Sequence, residues 1–299
     1  MQQEIDNLQE KQKAVMPIWF SIPLYLIASF LLITIAAFIY VPFDRLIKAD
    51  SAYISLIKNI ISWTFQAFSV TFAAYIFLKY IDRVSPKELG LNIKGRGKDC
   101  LWGFIMAVIL YAIGFSVSLM LGAVSITNIH LDLHLLILNL IMFFVAAWFE
   151  EVMCRGYIQG RLMTKMNKFL ALGITSMLFS VLHFANPNMG VLPIINLFLA
   201  GILLGASFLY TKNLWFPIVL HLFWNWIQGP ILGYEVSGSK TSYSLFVLSL
   251  PEDNIINGGA FGFEGSIICT ILLIIASGLI ILWGERKKYA NVNNMPIVD

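Results

Sequence analysis

Leu133-His134-Leu-Leu-Ile-Leu-Asn139-Leu-Ile-Met-Phe-Phe-Val-Ala-Ala-Trp148 runs without a break into Phe149-Glu150-Glu151-Val152-Met153-Cys154-Arg155. The first part has the length and polarity of a segment that crosses hydrocarbon. The second places two adjacent carboxylates and an arginine at its end. A charge at bilayer depth costs several kcal/mol, so an ionisable group there is a functional-site hypothesis by default. The competing reading makes both acids surface residues that cap the polar end of a span. Two further stretches favour the first reading: Phe179-Ser180-Val181-Leu182-His183 and His221-Leu222-Phe223-Trp224-Asn225.

Outward from this stretch the composition agrees. Of 299 residues 59% are apolar and 12% charged, which excludes an ordinary soluble domain. Long apolar runs recur along the chain, so the fold expected is all-α and polytopic, with about eight transmembrane helices around an intramembrane polar cavity. Short alternating segments, the mark of a membrane β-barrel, are absent from the sequence. A net charge of +3 implies no nucleic-acid partner. Cys100, Cys154 and Cys269 are isolated and read as small apolar fillers rather than a disulfide framework or a zinc site.

The expected spans are about 17–41, 54–78, 101–124, 133–150, 169–184, 191–210, 214–232 and 265–283. Residues 1–16 form a polar cytosolic lead-in, 17–284 the membrane body with its catalytic core at about 133–232, and 285–299 a cytosolic tail. The apolar run after residue 16 is too long for a signal h-region, so it is expected to stay as the first span. Lysine and arginine divide unevenly between alternate loops. One set holds Lys11, Lys13, Lys79, Arg83, Lys87, Lys94, Arg96, Lys98, Arg155, Arg161, Lys165, Lys168, Lys212, Arg286, Lys287 and Lys288, against Arg45, Lys48 and Lys240 in the other. Basic loops stay inside, which puts both termini in the cytosol.

The three polar stretches can meet. If the helix of Glu150 continues through Arg155 to a turn near Lys165–Lys168, Glu150 and His183 are equidistant from that turn. Both then sit about 25 Å from its tip. His221 lies about 13 Å from the turn at Lys212, and the levels match if the first hairpin projects about 11 Å into the cytosol. The site is therefore expected on the cytosolic side of the bilayer. A glutamate beside a histidine in a low-dielectric pocket suits a general base. Glu151 and Arg155, at i and i+4, can pair. His221 and Asn225, with the same spacing, can present two donors to a developing oxyanion. Glu150, His183 and His221 are equally candidate ligands for a divalent metal such as zinc.

These motifs, in this order, resemble the CAAX protease and bacteriocin-processing (Abi) family of intramembrane endopeptidases, which includes the Ras-converting prenyl protein protease. The family pattern E-E-x-x-x-R, F-x-x-x-H and H-x-x-x-N reads here as Glu150-Glu151…Arg155, Phe179…His183 and His221…Asn225, over about residues 148–226. The resemblance implies that Glu150 and His183 activate the attacking water, that His221 and Asn225 form the oxyanion hole, and that Glu151 and Arg155 support them. It implies no required cofactor, with zinc as the alternative. Membrane lipids and a peptide or protein substrate at the cytosolic membrane face are the expected partners, and a bacterial cell membrane the expected location. Peptide maturation or bacteriocin self-immunity would be the role. The alternative function is a non-catalytic membrane partner of a sensor kinase or bacteriocin receptor. A secondary transporter lacks the internal repeats it would need.

Other polar groups read as structural. His130 and His134, with Asp132 between them, are interfacial side chains at the outer start of the fourth span. Gly201-Ile-Leu-Leu-Gly205 brings the sixth span against a neighbour, and Asn139 and Asn196 are expected to link helices by hydrogen bonds.

Overall fold

The computed structural model describes residues 14–47 and 51–293. Most of the lead-in, together with Lys11, Lys13, Lys48 and the last six residues, lies outside the described residues. Eight helices carry the fold: α1 Ile18–Leu46, α2 Ala52–Ile76, α3 Gly97–Met120, α4 Leu133–Glu151, α5 Lys168–Leu182, α6 Val191–Thr211, α7 Trp215–Trp226 and α8 Ile267–Asn293. Side-chain caps start three of them: Ser51 accepts from Ile54 N at 3.3 Å, Asp132 from Leu135 N at 3.0 Å and Asn167 from Phe169 N at 2.8 Å. Three helices run on into π turns, at Phe77–Ile81 after α2, Val152–Gln159 after α4 and Ile227–Ile231 after α7. α4 packs between α2 and α7, α7 also against α3, and α5 against α6, which rests on α8.

Among the described residues, six helical segments are long and apolar enough to cross a membrane. The other two differ from the eight full spans expected. α5 has 15 residues, and α7 has 12 before its five-residue π turn, so they rise only about 22 Å and at most about 25 Å. A full crossing needs about 30 Å. Both start at one end of the bundle. There Arg161 pairs with Glu88 and Lys168 with Glu285, Asn213 Nδ2 donates to Asn92 O at 2.8 Å, and Trp215 Nε1 donates to Leu91 O at 3.0 Å. This is the lysine-rich end of the sequence. At the far end a two-stranded antiparallel ribbon, β1 Ser125–Ile129 with β2 Phe246–Ser249, lies over the start of α4.

Where α5 and α7 stop short, loops take over the remaining depth. Irregular backbone is tolerated there only if buried in protein or facing a watery cavity. Here Asn186 Nδ2 donates to Ser237 O at 3.1 Å, and Asn188 Nδ2 to Gly238 O at 3.2 Å and Ala260 O at 3.1 Å, so the two loops satisfy each other.

α8 continues to Asn293, so the described part of the polar stretch after residue 284 is helical. The hairpin after α4 buries Arg155 and Gln159, both 0% accessible, and Arg161, 6% accessible, while Lys165 near its tip is exposed. The three buried side chains find partners within the protein. Gly201 and Gly205 do set a close approach, of α6 on α5 and on the π segment. A Cβ at Gly201 would lie 2.8 Å from Ser176 Cα, and one at Gly205 2.6 Å from Gln159 Oε1.

Candidate active site

The π segment decides which way the charged groups point. With i→i+5 bonding the helix widens by one residue per turn, a feature common at functional sites. All eight residues from Val152 to Gln159 are buried. Arg155 turns inward: Nη1 donates to Glu151 Oε1 at 2.8 Å and Nη2 to Gly201 O at 3.3 Å, with the guanidinium 4.4 Å from the Phe179 ring centre. Gln159 Nε2 donates to Gly205 O at 3.0 Å. The two glycines of α6 thus let its backbone come close enough to serve as acceptor for both side chains.

Both histidines have one ring nitrogen fixed by a group that can only accept. His183, at the end of α5, places Nδ1 2.7 Å from Phe179 O. His221, on α7, places Nδ1 2.9 Å from Glu151 Oε1. A carbonyl and a carboxylate oxygen demand a proton on the facing nitrogen, so each Nδ1 donates and each Nε2 is left for the site. Both Nε2 atoms face Glu150 Oε2, His183 at 3.6 Å and His221 at 3.9 Å. These separations are too long for direct hydrogen bonds and too short for a water to stand between the atoms, but one water set to the side can reach two of them at hydrogen-bond distance. Glu150 Oε2 is buried and has no hydrogen-bond partner among the described residues. Asn225, one turn beyond His221, lines the same cavity.

Residues 132–227 match the family model described as Type II CAAX prenyl endopeptidase Rce1-like. The chain carries an Rce1-like domain. No curated protein matches the chain.

The Rce1-like domain runs from the cap of α4 to the end of α7 and contains all six motif residues. Its cavity, about 740 Å³, extends from Met153 and Cys154 past Glu150 to Asn139 on α4, and from Leu56 to Ser55 and Asn59 on α2. Phe143, Phe149 and Trp63 give it apolar walls, and Ser237–Ser242 of the long loop form its far rim. Cys154 is fully buried there, in keeping with a packing role. Asn196 links elements as expected, donating to Glu264 O and Ser266 O at 2.7 and 2.9 Å and accepting from Thr270 Oγ1 at 2.6 Å. Asn139 does not: its Nδ2 bonds Leu135 O of its own helix at 2.8 Å, while its buried Oδ1 has no partner among the described residues. His134 is 86% exposed beside Asp132, away from the site. Among the described residues, no group of three or more His, Cys, Asp or Glu is placed to hold a metal ion.

Sequence reasoning missed Glu264, which lies outside the Rce1-like domain on the cavity wall. Its Oε1 accepts from Trp224 Nε1 at 3.0 Å, and its Oε2 from Ser237 N at 2.8 Å, Ser237 Oγ at 3.0 Å and Gln228 Nε2 at 3.2 Å. It clamps the rim loop to α7, the helix of His221 and Asn225. The available signal was an acid at the start of an apolar span, between Phe263 and Gly265. Glu264→Ala strands several buried donors at once and should cost about 3 kcal/mol. Thermal unfolding in detergent, with the exposed Glu252→Ala as control, checks this.

Proposed function

We propose that the chain is an intramembrane endopeptidase in which Glu150 and His183 activate water. The observation that carries this is the buried Glu150 Oε2, without a hydrogen bond among the described residues and 3.6 Å from an imidazole nitrogen whose ring is already oriented. A water donating to both atoms turns its lone pair outward, toward a peptide carbonyl in the cavity. Attack forms the C–O bond and passes the water proton to the Glu150–His183 pair. The carbonyl oxygen becomes an oxyanion beside Asn225 Nδ2 and His221 Nε2, which donates when the ring is an imidazolium. The C–N bond then breaks as the stored proton moves to the leaving amine. Loss of one such oxyanion donor costs about 10²–10³ in rate.

Glu151 orients this machinery without facing the substrate. It fixes the His221 ring through Nδ1, and Arg155 balances its charge. Phe179 is shared by both sides, its ring 4.6 Å from that of His183 and 4.4 Å from the Arg155 guanidinium. That gives the first residue of F-x-x-x-H a physical task.

The reading is metal-independent hydrolysis in a bacterial cell membrane, with both termini cytosolic and peptide maturation or bacteriocin self-immunity as the role. Zinc held by Glu150, His183 and His221 is the competing chemistry, and two results separate them. Purified protein should contain less than about one tenth of an equivalent of zinc and cleave an internally quenched peptide at the same rate with or without chelator. Stoichiometric zinc, with chelator-sensitive cleavage restored by zinc, transfers the mechanism to a metalloprotease.

A further inference from the structure

A second recess lies between α1 and α2, with none of the catalytic groups in its lining. It encloses about 260 Å³ and carries an ion pair, Lys58 Nζ to Asp44 Oδ1 at 3.2 Å, with the side chains 15% and 34% accessible. The Tyr40 hydroxyl donates to Asp44 Oδ1 at 3.0 Å and lies 2.9 Å from Lys58 O. Beyond the pair, Asn59, Ser62 and Gln66 line the recess from α2, and Asn59 also borders the catalytic cavity. None of these three side chains makes a hydrogen bond among the described residues, and Asp44 Oδ2 accepts none. The facing wall, Ile33, Ala36 and Ala37 of α1, is apolar. A link between two helices needs the ion pair alone. A file of unbonded polar groups on a spanning helix is costly in hydrocarbon and calls for a polar partner. Depth narrows the choice. α1 has 29 residues and rises about 43 Å, close to the roughly 40–45 Å of hydrocarbon plus both headgroup layers. Asp44, two positions before its end, therefore stands at headgroup level. Ser62 and Gln66 lie about 6 Å and about 12 Å further along α2 than Lys58, below the headgroups.

We propose that this recess binds one phospholipid whose headgroup carries both a phosphate and a primary ammonium. The phosphate accepts from Lys58 Nζ, which has further N–H groups to give, and the ammonium donates to Asp44 Oδ2. The glycerol and ester oxygens lie along Asn59, Ser62 and Gln66, all able to donate, while the acyl chains pass over the apolar wall of α1. Charge complementarity selects this occupant. A purely anionic lipid answers Lys58 and repels Asp44, and a choline headgroup brings its positive charge without an N–H. A small soluble zwitterion satisfies the pair but not the polar file below it. The site rests neither on the endopeptidase reading nor on which end of the chain faces the cytosol.

Native mass spectrometry of the delipidated full chain tests the site. Phosphatidylethanolamine, phosphatidylcholine and phosphatidylglycerol with identical acyl chains are added in equal amounts. The native protein should retain the ethanolamine lipid at least about tenfold over either of the others, since an ammonium–carboxylate hydrogen bond is of the stronger, charge-assisted kind. Asp44→Asn combined with Lys58→Met should remove that preference. Should this double variant fail to fold, Ser62→Leu combined with Gln66→Leu keeps the ion pair, fills the recess with apolar side chains and should remove the preference as well. Any other order among the three lipids in the native protein, or a preference that persists in a folded variant of either kind, overturns the proposal. Water-soluble phosphoethanolamine is the second probe. In excess it should leave the lipid bound, and displacement of the lipid would overturn the assignment in favour of a soluble zwitterion.

Discussion

Glu150→Gln leaves a folded protein that no longer cleaves. General-base catalysis contributes about 10²–10⁴, and here the base also holds the nucleophile, so a rate loss of at least about 10³ is expected. The fold should hold. Glu150 Oε2 makes no hydrogen bond to the described residues, and a neutral amide is easier to bury than a carboxylate. Glu150→Asp should fail almost as badly, because the shorter side chain withdraws the oxygen from the His183 side, and misplacement by about 1 Å can cost about 100-fold. Single-turnover cleavage of a quenched peptide, beside an unfolding curve for each variant, reads both effects. Undiminished cleavage by Glu150→Gln would remove this residue as the base.

Arg155→Ala is expected to fail in the opposite way, by loss of the fold. Arg155 and Glu151 are 0% accessible, and their ion pair at 2.8 Å lies in the centre of the protein. Removing one member of a buried pair costs about 3–5 kcal/mol, because the remaining charge has no solvent to return to. The loss here also frees Gly201 O and uncovers the Phe179 ring, which touches both Arg155 and His183. Arg155→Lys keeps the charge but cannot reach Glu151 and Gly201 O together, so it should fall between the two. The measurement is the unfolding midpoint in detergent and the yield of monodisperse protein. An Arg155→Ala protein as stable as the native one but catalytically dead would move Arg155 from support into the chemistry.

Much of this was legible in the chain because each signal was local. The apolar runs located eight helices, with the start of each within a few residues of that found, and the i,i+4 spacing of Glu151 and Arg155 anticipated their pairing. The symmetry of Glu150 and His183 about the hairpin anticipated their meeting. What escaped notice depends on how the elements pack. Composition does not distinguish an α from a π turn, so the burial of Arg155 and Gln159 along Val152–Gln159 could not be seen in advance. The short reach of α5 and α7 is likewise hidden, since the loops that continue their depth are held by contacts such as Asn186 to Ser237, fifty-one positions apart. Glu264 became part of the cavity through that same loop. Asn139 gave a correct sign of burial and a wrong partner, because nothing in sequence tells an amide facing another helix from one facing a cavity.

An experimental density map that resolves ordered water at Glu150 tests the central claim most directly. The account predicts a water peak within about 2.6–3.2 Å of both Glu150 Oε2 and His183 Nε2, in a cavity hydrated up to Asn139. A dry pocket, a Glu150 carboxylate turned away from both imidazoles, or a metal-strength peak among the three would contradict it.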